Sequence, residues 1–384
     1  MKFRYLFSSP GGDFSAGESV LNRPFRLSPS EEHPSIILRD YFKTLEQFLL
    51  KEKTRSLLSL LQKEPSQSTS PEEILEILLR SEKHGGLYHI ASAEVVLPGR
   101  RRKFAIVSAL SSQGKTTLHR EFEILRSLQK TLALPYLPEV YFKDERELPA
   151  ARDPETMVMA LQEWFEGYHE WHFSGKGKDA PSRLCIWDFK NGNRFASERE
   201  MSEIFRQASR ILTLYYDSRS SSRIHSWHHA AGDFIVKSNP EGKTDVKLTT
   251  VRNYGPMFNF SKKTDFNPWT ALIFFFLDLS VRMRIDRLDG IGELVWAGDF
   301  AVVATLEGFL EGLDVMATGD RFHLGKPQEV LSLLKAFSRE ELLKLTPLLL
   351  DDYEKTNPRE VPVILANLET HVARLNQSIQ NFSL

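Results

Sequence analysis

Apolar residues recur at helical spacing over residues 34–63. Ile37, Tyr41, Leu45 and Phe48 fall on one face, with Leu57, Leu58 and Leu61 beyond them, and this period predicts a helix. A second helix is predicted over 71–80 from Ile74, Leu75, Leu78 and Leu79. Ser70 precedes Pro71 at its first turn, and Glu72 and Glu73 suit the positive end of a helix dipole. The stretch 65–70 (PSQSTS) reads as the linker between the two, and the Ser-, Gly- and Pro-rich residues 1–30 read as a poorly ordered start or an edge segment.

The pattern changes at Gly85-Gly86. Residues 87–97 (LYHIASAEVVL) and 103–110 (KFAIVSAL) are rich in apolar and β-branched residues and flank Pro98-Gly99 and an Arg run, which predicts a hairpin. A helix over 116–130 follows, with Leu118, Phe122, Leu125 and Leu128 inward, then short strands at 137–142 and 157–164. Beyond Gly167 the chain reads as mostly helical. Residues 198–216 form one helix, and short strands at 234–236 and 246–251 surround the turn 239–242 (NPEG). The expected class is α+β, in three parts: an N-terminal segment and helical extension over 1–85, a small antiparallel-sheet lobe over 86–165, and a larger helical lobe over 166–384.

Composition narrows the choice. Of 384 residues, 41% are apolar, enough for a sizeable core. Lys plus Arg is 50 and Asp plus Glu is 51, so the formal charge of -1 argues against binding nucleic acid by bulk charge. The single cysteine, Cys185, excludes a disulfide framework and a Cys-based zinc site within the chain. The most apolar run, 271–277, is too short to span a bilayer and is followed by Asp278, so a buried helix is expected and no membrane span. Residues 1–13 lack the apolar core of a secretory signal, which makes the cytoplasm the expected compartment.

Four local patterns carry the candidate chemistry. The 116–130 helix contains Glu121 and Glu123 in HREFEIL. Strand 157–164 runs through Glu163 into a connector with Gly167. A histidine-rich loop follows, from Arg223 through His225, Trp227, His228 and His229 to Asp233. Last comes VKLTTVRNYG, ending in Asn253-Tyr254-Gly255. With the order hairpin, helix, strand, strand, connector, helix, loop, small hairpin, helices, these patterns resemble the protein-kinase-like superfamily over residues 86–320. The closer likeness is to its aminoglycoside phosphotransferase-like and lipopolysaccharide-sugar kinase branch.

The resemblance implies ATP and magnesium as cofactors, ATP lying between two lobes, and a small polar acceptor such as a sugar or saccharide. In such kinases a helix glutamate pairs with a strand lysine that holds the phosphates. Glu121 suits that role, but Ser108 stands where the lysine is expected, so Lys103 or Lys115 would have to substitute. The segment ending in Glu163 would form the adenine hinge.

Against the pattern H-G-D-L-H-P-x-N, His225 matches the first His and His229 the second. Asp233 falls at the metal-binding Asn after one extra residue, and Trp227 replaces the catalytic Asp. His228 or His229 would then act as base, with His225 beside them. Asn253 stands where kinases carry the magnesium-binding Asp. The metal pair would therefore be Asp233 and Asn253, with carboxylate and amide exchanged.

Other readings stay open. The chain could be a pseudokinase, sensing nucleotide or scaffolding, with a protein partner on the N-terminal helices. The loop could be a dedicated metal site of His225, His228, His229 and Asp233, or equally aromatic packing around a turn. Residues 109–116 (ALSSQGKT) also fit a relaxed phosphate-loop pattern, with Lys115 on the phosphates.

Overall fold

The computed structural model describes residues 2–9, 11–28, 31–50, 52–62, 70–148, 155–175, 183–188, 190–225, 227–229, 232–238, 243–256 and 267–383. The linker at 65–69 and the turn at 239–242 lie outside this set. The chain is mixed α+β and divides into two compact units, residues 1–166 with 189–192, and residues 167–188 with 193–384.

The first unit runs β1 (Phe3–Phe7), β2 (Phe14–Ser15), α1 (Glu18–Leu21), β3 (Pro24–Ser28), β4 (Glu31–Ile37), α2 (Leu38–Leu49), α3 (Glu52–Leu61), β5 (Glu76–His84), β6 (His89–Leu97), β7 (Arg100–Ala109), α4 (Ser112–Leu132), β8 (Val140–Glu147) and β9 (Thr156–Glu163). Seven strands form one sheet in the order β2-β1-β5-β6-β7-β9-β8, antiparallel except for β1 beside β5. Alternate residues divide between its faces. Ile77, Leu79, Ala91, Ala93, Phe104, Ile106, Met159 and Leu161 share a core with Tyr41, Phe42, Leu45 and Phe48 of α2 and Leu57 and Leu61 of α3. α4 packs on β7, β8 and β9, burying Leu118, Phe122, Leu125 and Leu128.

Three expectations change here. Residues 71–80 are not a helix. The Ser70-Pro71 start signal makes one 3-10 turn over Pro71–Glu73, with Glu73 accepting from the Ser70 N–H at 3.2 Å, and then β5 begins. Ile77, Leu78 and Leu79 are all buried because β5 lies in mid-sheet, and a short continuous apolar run cannot distinguish such a strand from a helix. The helix expected from 34 starts only at Leu38, after strand β4, and is interrupted between Leu49 and Glu52. Gly85-Gly86 is a tight turn between neighbouring strands, closed by Gly85 N–H to the Tyr88 carbonyl at 2.9 Å. The Arg run caps a helix: Arg102 and Arg100 donate to the Leu60 and Leu61 carbonyls at the end of α3, at 3.0 and 3.4 Å.

The second unit runs β10 (His169–Ser174), β11 (Arg183–Ile186), β12 (Arg194–Phe195), α5 (Glu198–Leu214), β13 (Ser222–His225), β14 (Phe234–Ser238), β15 (Thr244–Leu248), β16 (Asn253–Pro256), α6 (Pro268–Arg282), β17 (Ile285–Arg287), β18 (Leu294–Trp296), α7 (Phe300–Thr318), α8 (Pro327–Ala336), α9 (Arg339–Leu345), α10 (Leu350–Thr356) and α11 (Val361–Asn381). A five-stranded antiparallel sheet, β12-β11-β10-β14-β15, precedes and interleaves with the helices, so the unit holds more strand than expected. Its edge is shielded by Gln207 of α5. The Gln207 amide donates to the Thr244 carbonyl at 2.7 Å and accepts the Val246 N–H at 3.0 Å, standing in for a further strand.

α6 is buried all round from Ala271 to Arg282, as its apolar run predicts. Asn267 caps it by accepting from Trp269 and Thr270 N–H, with Pro268 at the first position. Among the described residues no helix is long and apolar enough to cross a membrane.

α5 and α7 pack closely because α7 presents Gly308 and Gly312. A Cβ at Gly308 would stand 2.0 Å from the Arg206 carbonyl oxygen, and one at Gly312 would stand 2.7 Å from Thr213 Cβ. Gly308→Ala is therefore expected to force the helices apart at a cost of about 1–3 kcal/mol. A lowered urea midpoint for the transition of residues 193–384 would register it; an unchanged midpoint would refute the close approach.

Candidate functional site

The sequence-derived site residues fall into two groups, one in each unit.

In the first unit, Glu121 sits on the buried face of α4, only 4% exposed. It accepts a hydrogen bond from the Tyr88 hydroxyl at 2.7 Å. Neither substitute lysine is its partner. Lys103 pairs with Glu82 at 2.8 Å and lies 3.8 Å above the Trp164 ring. Lys115 donates to Thr156 Oγ1 at 2.9 Å. A phenol thus stands where the resemblance requires an ammonium group. Glu163 ends β9 and accepts from the Glu139 N–H at 3.2 Å, which fastens that strand end to the chain leading into β8.

The phosphate-loop reading of 109–116 meets the wrong geometry. β7 is antiparallel to both its neighbours, whereas that motif belongs to parallel sheets. Ser111 caps α4 by accepting from the Gly114 N–H at 3.1 Å, so Gly114 already lies in the first helical turn. Its lack of a side chain has another cause: a Cβ there would lie 2.6 Å from the Leu87 carbonyl oxygen.

In the second unit the histidine-rich loop joins β13 to β14. Ser226, Ala230 and Ala231 lie outside the described residues. β13 pairs antiparallel with β16, which puts His225 directly opposite Asn253. Asp233 immediately precedes β14, and its carbonyl accepts the Thr249 N–H at 2.7 Å, closing the β14–β15 hairpin.

The Asp233 side chain is 1% exposed and fully engaged. Arg252 grips it with both guanidinium nitrogens, at 2.7 Å to Oδ2 and 2.6 Å to Oδ1, and the His228 N–H adds a third bond at 2.8 Å. This is the bidentate geometry in which arginine best satisfies a buried carboxylate. A fixed organic cation therefore occupies the carboxylate expected to face magnesium.

The three histidines separate. His228 donates from Nε2 to Glu360, a 3% exposed carboxylate beside the start of α11, and borders a small crevice with Trp227, Arg282 and Ile285. His229 turns into the core and packs against Trp171 and Phe205, at ring separations of 4.6 and 5.2 Å, and against Trp227 and Phe234. It is 2% exposed, and neither ring nitrogen has a partner. Burial pushes its pKa down to about 4. The role of base expected for His229 does not suit this placement, because a substrate proton cannot reach it.

Among the described residues no three His, Cys, Asp or Glu side chains gather as a metal site. The dedicated site of His225, His228, His229 and Asp233 is thus not assembled, since aromatic packing, Glu360 and Arg252 each take a member away.

Sequence reasoning missed Arg252, Tyr88 and Glu360. Arg252 directly precedes Asn253, and a buried Asp beside an unassigned Arg was the available signal. Glu360 lies 132 positions from His228, and nothing local connects them. No protein-family model matches the chain, and no curated protein sequence matches it.

Two outcomes follow from this geometry. Arg252→Ala leaves the Asp233 carboxylate buried without its counter-charge and is expected to destabilise the protein by about 3–5 kcal/mol. Asp233→Asn combined with Arg252→Ala should recover part of that loss in chemical denaturation. The second outcome concerns pH. Burial lowers the pKa of His229 to about 4 and of His371 to about 3, so both stay neutral in the fold while the unfolded chain takes up protons near pH 6.5. Stability is complete above that pH and falls as pH drops toward 4. Tm should decline from pH 7 to pH 5, and His229→Phe should flatten the decline; an unchanged slope would remove His229 from the account.

Proposed function

We propose that the chain is a protein-kinase-like module that does not carry out magnesium-dependent phosphoryl transfer and acts as a nucleotide-sensing or scaffolding pseudokinase. The order of elements supports the kinase-like part. β6 and β7 form a hairpin, α4 follows, β8 and β9 return, and the second unit supplies a helix, a loop, the small β14–β15 hairpin and further helices.

The observation that carries the non-catalytic part is the Arg252–Asp233 pair. Magnesium needs charged oxygen ligands in near-octahedral geometry, and here both oxygens of the retained carboxylate already accept from a guanidinium. Tyr88 in place of a lysine at Glu121 points the same way, because it offers no positive charge to phosphates.

Thermal shift with ATP, in EDTA and in magnesium, tests this together with ATP turnover in the presence of saccharide acceptors. Any rise in Tm is expected to be the same with and without magnesium, with turnover at the level of buffer. A metal-independent rise identifies the sensor, and no rise in either condition would undercut the kinase-like reading. Magnesium-dependent stabilisation and turnover, both lost in Asp233→Asn, would overturn the proposal in favour of a phosphotransferase.

A further inference from the structure

The sheet of the first unit carries a buried histidine pair that no role above uses. His84 ends β5 and His89 begins β6, directly opposite each other across the Gly85-Gly86 turn. Ser108 of β7 is opposite His89 on its other side, so the three side chains line one face across three strands. Tyr41 of α2 covers that face, its ring 5.2 Å from His89, and Phe25 closes the flank at 4.2 Å. The imidazole rings are 3.4 Å apart between centres.

The polar atoms here are poorly satisfied. His89 Nε2 lies 3.1 Å from the Arg26 carbonyl. A carbonyl only accepts, so Nε2 carries the proton and Nδ1 carries a lone pair. That lone pair is buried and has no donor, and both ring nitrogens of His84 are likewise buried and unpartnered. The Tyr41 hydroxyl lies beside Ser108 Oγ, within hydrogen-bonding reach of it. Buried polar atoms are seldom left so, and three imidazole nitrogens in one place mark where something polar is missing. A histidine that donates one N–H to a backbone carbonyl while its other nitrogen stays open has the outer-shell arrangement of a metal ligand.

We propose that His84 and His89 form a binding site for a borderline divalent cation such as zinc, nickel or copper, with oxygens of Tyr41, Ser108 or solvent completing the shell. Imidazole nitrogen selects these ions over magnesium or calcium. Burial keeps both rings neutral, with His84 lowered to about 4 and His89 to about 2, and the neutral form is the ligating one. With N–metal bonds of about 2.0–2.1 Å, the ring centres must open by about 1–2 Å. The charge of Arg26, which also lowers the His84 pKa, opposes the ion. Moderate affinity is therefore expected.

The site is independent of the pseudokinase reading, and its test is too. Metal-stripped full-length protein is titrated with zinc by calorimetry and thermal shift, and with copper(II) by electron paramagnetic resonance. One zinc per chain at micromolar affinity, a raised Tm, nitrogen hyperfine structure on copper and no response to magnesium are expected. His84→Asn, at the less buried position, should weaken zinc at least tenfold while the far-ultraviolet circular dichroism stays native. His89→Asn should do the same if it folds. Absence of saturable zinc binding, binding unchanged in His84→Asn, or copper without nitrogen ligation would each overturn the proposal.

Discussion

A carboxylate held away from water has to find its counter-charge or its donors inside the chain, and in residues 193–384 that requirement directs the backbone. Asp278 on α6 is met by Arg223 of β13 and by Arg282 one turn along the helix. Burial alone would raise its pKa, but the two arginines outweigh that and hold it below the usual range. Asp286 is 0% exposed and accepts the Phe173 and Arg287 N–H groups at 3.1 and 2.8 Å. Asp233 takes Arg252 and the His228 N–H. Each aspartate joins separate elements, and removing Arg252, the counter-charge of Asp233, would leave an uncompensated charge in the core. Loops between β13 and β16 are thus tied to α6 and to the β14–β15 hairpin by charge as much as by packing.

The same requirement bears on the candidate residues of each unit. Phosphoryl transfer needs acidic side chains left available to a metal and a lysine left available to phosphate. Here the carboxylates are already satisfied within the protein, one by a guanidinium and one, Glu121, by a phenol. A buried carboxylate whose oxygens both accept from a guanidinium, as in Asp233, has little left to offer an ion from solution. The His84–His89 pair has the opposite character, with lone pairs left open in a closed apolar setting.

The apolar and β-branched runs of β6, β7 and β9, the amphipathic stripe of α4 and the all-apolar α6 could be read directly, because each is a pattern among near neighbours that burial then respects. β5 could not, since a mid-sheet strand covered on both faces loses its alternation and looks helical when Ser70-Pro71 precedes it. The clustering of His225, His228, His229 and Asp233 in one loop was legible; their separation was not, because it is enforced by Trp171, Glu360 and Arg252 from other elements.

By itself, then, the sequence determined the mixed α+β class, the buried helix at 268–282, the positions of β6, β7, β8, β9, β14 and β15 and which residues could bear chemistry, all of which depend on neighbours within a few positions. Tertiary structure alone decided what those residues do. Whether an aspartate meets a metal or an arginine, and whether a histidine faces solvent or four aromatic rings, depends on contacts between elements that pairing and packing bring together. For His228 the partner is 132 residues away, a distance over which no local pattern carries information.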